Sequence, residues 1–84
     1  MTDPTLAQVA AEAQRAAAKY GPFASVHEAI GVLVEEWDEL RGAVHANDLE
    51  AIHREALQVA AVAYRLAAQT ADPSAAFSRR STGT

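Results

Sequence analysis

Apolar residues recur at steps of three and four along most of this 84-residue chain, and the pattern breaks at two places, Gly21-Pro22 and Asn47-Asp48. That period belongs to helices that bury one face. Alanine is abundant and runs of β-branched residues are scarce, which favours helix further. The expected fold is all-α: a short N-terminal helix, then an antiparallel helical hairpin, three helices in all, assembling into an oligomeric helical bundle.

The ends of each helix are legible. Asp3 before Pro4 is an N-cap followed by proline at the first helical position. Leu6, Val9, Ala10, Ala13, Ala17 and Tyr20 then share one face, and Gly21-Pro22 ends the helix. Ser25 with Glu28 forms a capping box for the second helix, which carries Val26, Ile30, Leu33, Trp37, Leu40 and Val44 as its stripe. That spacing places Trp37 in the core. The helix is expected to reach Ala46, with Asn47 or Asp48 capping the third and Asn47 pairing with Glu50. The third helix carries Leu49, Ile52, Ala56, Val59, Ala63 and Leu66 on its main face and runs to about Asp72-Pro73. Residues 1–73 therefore make one domain, and 74–84, without any period, read as a disordered tail. Gly31 and Gly42 fall on the solvent side of the second helix.

Half of the chain is apolar, yet 21 of those residues are alanine, so few side chains are large enough to fill a core. A domain of this size buries roughly 60% of its unfolded surface, which is marginal without staples or partners. From Ala56 to Ala68 only Gln58 and Arg65 are polar, and a helix apolar on most sides is expected to be covered on most sides. A homo-oligomer, dimer or tetramer, in which the third helix meets another subunit, follows as an expectation. Cysteine is absent, which excludes disulfides and thiolate metal sites. No apolar run approaches the ~20 residues that span a bilayer, and Asp3 stands where a secretion signal would carry a base. These features predict a cytoplasmic protein with no membrane partner.

Net charge is −4, unevenly placed: between Glu28 and Glu55 lie eight acids and two arginines. Duplex nucleic acid requires a basic stripe, so direct nucleic-acid binding is not expected. An acidic centre suits cations, or an anion that arrives with a metal. A tight turn near Asn47 forces the second and third helices antiparallel, bringing Glu39 level with Glu55 and Glu36 level with Gln58. Glu36 shares a row with Ala29, Val32, Leu40 and Ala43, and Glu55 shares one with Ala51, Ile52, Val59, Val62 and Leu66. Like charges among apolar neighbours raise one another's pKa and destabilise a fold unless something positive intervenes. Arg41 and Arg54 could supply a salt-bridge network. A metal is the other candidate, and oxygen ligands without cysteine select magnesium or manganese over zinc.

These residues resemble a family. Glu35-Glu36-Trp37-Asp38-Glu39, fifteen residues, then Glu55-Ala56-Leu57-Gln58 is similar to the E-x-x-E … E-x-x-D signature of the all-α nucleoside triphosphate pyrophosphohydrolases. That superfamily includes the MazG-like enzymes, the dimeric dUTPases and phosphoribosyl-ATP pyrophosphatase. The likeness to small MazG-like proteins of phages and prokaryotes extends over Tyr20-Gly21-Pro22, Ser25, His27-Glu28 and Glu55-Ala56-Leu57-Gln58-Val59-Ala60-Ala61, within residues 20–66. The resemblance implies Mg²⁺-dependent (or Mn²⁺-dependent) cleavage of a nucleoside triphosphate to monophosphate and pyrophosphate by a dimer or tetramer. It implies that Glu36, Glu39, Glu55 and Gln58 hold metal and that Glu35 and Glu36 serve catalysis, Glu35 as acceptor of the water's proton. Gln58 stands where the family has aspartate, and the fourth helix of larger relatives has no counterpart in the arginine-containing tail. A catalytically degenerate nucleotide- or metal-binding protein, or a structural oligomeric module, is the alternative.

Other residues have a plainer reading beside the functional one. His27 either contacts phosphate or faces solvent, and Arg65 is the better candidate for an anionic ligand. Arg54 is expected to pair with Asp38 or Asp48, or with a phosphate. Tyr20 and Phe23 flank the Gly-Pro corner and are expected to lock the first helix to the second.

Overall fold

A computed structural model describes residues 3–77, which form three α-helices and, among the described residues, no strand: α1 (Pro4–Tyr20), α2 (Val26–Ala46) and α3 (Leu49–Gln69). The predicted caps account for most of the boundaries. Asp3 accepts from the backbone N–H groups of Thr5 and Leu6. The Ser25 hydroxyl accepts from Glu28 N–H at 3.1 Å, and the Glu28 carboxylate accepts in return from Ala24, one residue before the cap. Asp48 alone caps α3, its carboxylate accepting from Ala51 N–H at 3.1 Å. Asn47 belongs to α2 instead. It takes the left-handed conformation (φ 54°) that closes a helix C-terminus, so it does not pair with Glu50.

The central element is α3: it packs on α2 along one side and on α1 along another, while α1 and α2 do not meet. A V-shaped cleft is left between α1 and α2, floored by α3. Alanine sets this geometry. Among the described residues, five of the seven that are buried are Ala13, Ala16, Ala29, Ala43 and Ala61, small enough to let helix backbones approach, with Phe23 and Val62 supplying the bulk. Phe23, Ala29 and Val62 form one cluster, against which Val32, Leu33, Leu66 and Phe77 pack.

Two packing expectations are corrected, on α2 and α1, and on α3 the single chain leaves apolar residues uncovered as expected. The α2 face against α3 is the row carrying Ala29 and Ala43, so Leu33 and Leu40 stay half-buried while the rest of the larger stripe turns outward: Val26, Ile30, Trp37 and Val44 are about half exposed, and Trp37, at 52%, is not a core residue. On α1, Leu6 and Tyr20 are exposed and burial falls on Ala13 and Ala16. On α3, the apolar run from Ala56 to Ala68 buries only Ala61 and Val62, and Ala56, Ala63, Tyr64, Ala67 and Ala68 reach solvent. In each case the chain has too few helices to cover every apolar face. Gly31 and Gly42 meet open space, as expected.

Past α3 the chain turns at residues 70–77. Gln69 organises this end: its side chain accepts from Phe23 N–H and donates to the carbonyls of Phe23 and Ala76, each at 2.9 Å. Ala76 and Phe77 are half-buried, within the stretch expected as tail, and residues 78–84 of that stretch lie outside the described residues. Among the described residues, no helix is long and apolar enough to cross a membrane.

Candidate functional site

The hairpin turn at Asn47-Asp48 sets the register of α2 against α3, and the register brings the acids together. One oxygen each of Glu36, Glu39 and Glu55 lies within 4.8 Å of the other two. Glu36 and Glu55 are half-buried and Glu39 is exposed. Glu36 follows Val32 by one turn of α2 and so shares its side of the helix; Glu39 projects from the rim, and Glu55 rises from the first turns of α3. Burial pushes the Glu36 carboxyl above its ordinary value, and the charges of Glu39, Glu55, Glu35 and Glu12 push it further.

These acids line a cleft of about 680 Å³ between α1 and α2. Its α2 wall is Glu28, Val32, Glu35, Glu36 and Glu39, and its floor on α3 includes Arg54, Glu55, Gln58, Ala61 and Arg65. The α1 wall contributes Glu12 and Arg15, with Tyr20 to Phe23 closing one end.

The predicted site residues divide accordingly. Glu36, Glu39 and Glu55 converge. Gln58, half-buried on the floor, sits near enough to the α1 wall for its amide to help lower the Glu12 pKa. Glu35 is exposed and borders the same cleft. His27 is exposed in the first turn of α2 and does not line the cleft. Arg65 borders the cleft but is used by the corner: its guanidinium donates to the Gly21 carbonyl at 3.2 Å and lies 4.4 Å from the centre of the Phe23 ring. Arg54 pairs with neither Asp38 nor Asp48. Its Nε is 3.6 Å from Glu55, and Asp38 is taken by Arg41 at 3.5 Å.

Glu12 and Arg15 were not visible as site residues. Both carboxylate oxygens of Glu12 accept from Arg15, three residues on. The Arg15 hydrogen bond holds the Glu12 carboxyl below its usual value against the opposing effect of burial, assisted by the Gln58 amide and the Arg15 charge. Glu-x-x-Arg on a helix reads as a solvated ion pair. Only the angle at which α1 lies on α3 turns that pair into the cleft.

The donor set suits a hard divalent cation. Octahedral magnesium at ~2.1 Å needs cis oxygens about 3 Å apart and trans oxygens about 4 Å apart. The three oxygens, within 4.8 Å of one another, lie close to that span, and none of the three glutamates is fully buried. The set is all oxygen, carries a formal charge of −3 and, among the described residues, accepts no hydrogen bond from lysine or arginine; its one ionic contact is that of Arg54 with Glu55 at 3.6 Å.

Searches of protein-family models, curated proteins and solved structures return no match to this chain.

Proposed function

We propose that the protein is a Mg²⁺-dependent nucleotide pyrophosphohydrolase of the MazG-like kind, cleaving a (d)NTP to (d)NMP and pyrophosphate. The observation that carries the reading is the convergence of Glu36, Glu39 and Glu55 within 4.8 Å inside a cleft large enough for a nucleotide. Glu36, Glu39 and Glu55 would hold magnesium (or manganese), with the Gln58 amide oxygen as a neutral fourth donor. A cation bound there supplies Lewis-acid polarisation of phosphate oxygens and a more acidic water. Glu35 lies on the cleft wall one residue before Glu36 and is free of ion pairs among the described residues. It accepts the proton of the water that hydrolyses the α–β linkage, and pyrophosphate leaves.

The protein acts as a homo-oligomer, a dimer or tetramer, in this reading. The support is the outward face of α2, where Val26, Ile30, Val34, Trp37 and Val44 are each about half exposed on a chain whose own helices do not cover them.

The test is phosphorus NMR of products from a panel of NTPs and dNTPs with Mg²⁺ or Mn²⁺, beside Glu36→Gln. Monophosphate and pyrophosphate made by the native protein alone are expected. Diphosphate with inorganic phosphate would overturn the proposed reaction. Absence of turnover by folded protein would favour the second reading, a nucleotide- or metal-binding relative without catalysis. The observation behind that reading is Gln58, an amide where the resembled signature has aspartate, and Gln58→Asp is the substitution to try next.

A further inference from the structure

Six carboxylates line the cleft, Glu12, Glu28, Glu35, Glu36, Glu39 and Glu55, together with three arginines. Two of the arginines are engaged by the fold. Arg15 holds both oxygens of Glu12, and Arg65 is committed to the Gly21 carbonyl and the Phe23 ring. Arg54 is not. Its side chain is 62% exposed, its one ionic contact among the described residues is the 3.6 Å approach of Nε to Glu55, and no hydrogen bond uses its terminal amino groups. Guanidinium carries five N–H donors in a planar fork matched to phosphate oxygens. Here that fork stands beside the acid trio.

On α3, Arg54, Gln58, Ala61 and Arg65 follow one another at steps of four, three and four, so they form one row along the cleft floor. Eleven residues of helix place the two arginines about 16 Å apart. Arg54 lies at the end beside Glu55, and Arg65 at the end closed by Tyr20 and Phe23. Tyr20 is 65% exposed, with the Lys19 ammonium 5.1 Å from the centre of its ring, so the ring can meet a ligand at that end only on the face away from Lys19.

We propose that Arg54 binds the phosphate oxygens of a polyphosphate ligand and thereby sets its direction, phosphates at the Arg54 end and the organic part toward Tyr20. The inference rests on the proposed cation site, because six carboxylates repel a phosphate that arrives without a cation. A simple counterion role for Arg54 makes a different forecast. Removing a counterion strengthens cation binding by the trio and leaves anion binding at saturating cation unchanged. Removing a phosphate ligand leaves cation binding equal or stronger and weakens anion binding.

The experiment titrates Mn²⁺ alone, then pyrophosphate and a nucleoside triphosphate at saturating Mn²⁺, into the full chain and into Arg54→Ala, Arg54→Lys and Tyr20→Ala, with circular dichroism on each. Arg54→Ala is expected to lose at least tenfold in pyrophosphate affinity with Mn²⁺ affinity unchanged or raised. Arg54→Lys recovers part of the loss, keeping the charge without the fork. Tyr20→Ala is expected to weaken the triphosphate and leave pyrophosphate within twofold. Unchanged pyrophosphate binding by folded Arg54→Ala overturns the inference while leaving the cation site standing. Parallel loss of Mn²⁺ and pyrophosphate in both Arg54 variants overturns it as well, since that is the result of a structural role. Wild-type protein that binds no Mn²⁺ overturns the cation site and this inference together.

Discussion

Glu36 is the residue whose surroundings least suit its charge. It is half-buried, faces Glu39 and Glu55, and has no basic partner among the described residues. Below pH 4.5, the ordinary value, its carboxyl is neutral in folded and unfolded chains alike and its position costs nothing. As pH rises toward the raised folded value the unfolded chain releases its proton first, so stability falls with pH across that window and stays reduced above it. Glu36→Gln is therefore expected to raise Tm by a few °C at pH 7 without metal, and by progressively less as pH drops to 4.5. Calorimetry across pH checks this. The native protein is expected to gain Tm with Mg²⁺ and the Glu36→Gln variant to lose that gain, whereas a variant Tm that falls at pH 7 would mean that Glu36 is held by a favourable partner.

At the scale of elements, two connections position everything else, and they work differently. The α2–α3 turn is local: Asn47 in the left-handed region and the Asp48 cap fix the hairpin register within two residues. The α1–α2 corner depends on a distant partner, because Gln69, at the end of α3, satisfies both backbone groups of the buried Phe23 and reaches Ala76 as well. Gln69→Ala leaves the Phe23 N–H and carbonyl without partners in a place largely closed to water. A loss of about 2–3 kcal/mol is expected from unsatisfied polar groups of this kind. Urea unfolding measures it. Mn²⁺ affinity of the remaining folded protein is expected to change little, since α2 and α3 hold the trio without help from the corner.

The whole molecule is a thin assembly: one helix with a partner on each side, a core mostly of alanine, and a wide apolar face on α2 turned to solvent. Burial at ~25 cal/mol per Å² favours covering that face, and a second copy of the chain does so in the proposed oligomer. Trp37, the single tryptophan, reports on it directly. Sedimentation at micromolar concentration is expected to show a dimer or larger. Trp37→Glu is expected to shift the population to monomer with a lower Tm, and dilution of the native protein to move tryptophan emission to the red. A folded native monomer with concentration-independent emission would remove the oligomer from the proposal.

Helix number, helix caps and the meeting of Glu36, Glu39 and Glu55 were legible in the residues themselves. Each depends on interactions within a few positions: a cap bonds to the next turn, and a two-residue turn leaves an antiparallel hairpin one register. The face that each helix buries was not legible. Periodicity marks the apolar stripe of α2, but a helix with one neighbour in its chain buries only one sector, and the close approach allowed by Ala29 and Ala43 chose the row beside the stripe. The α1 wall of the cleft was hidden for a related reason. Glu12 and Arg15 are neighbours on α1 but far in sequence from Gln58, and they face it only through the angle of α1 on α3. Alanine packing and the Gln69 hydrogen bonds to Phe23 fix that angle, and both are contacts between distant segments that exist only in the folded chain.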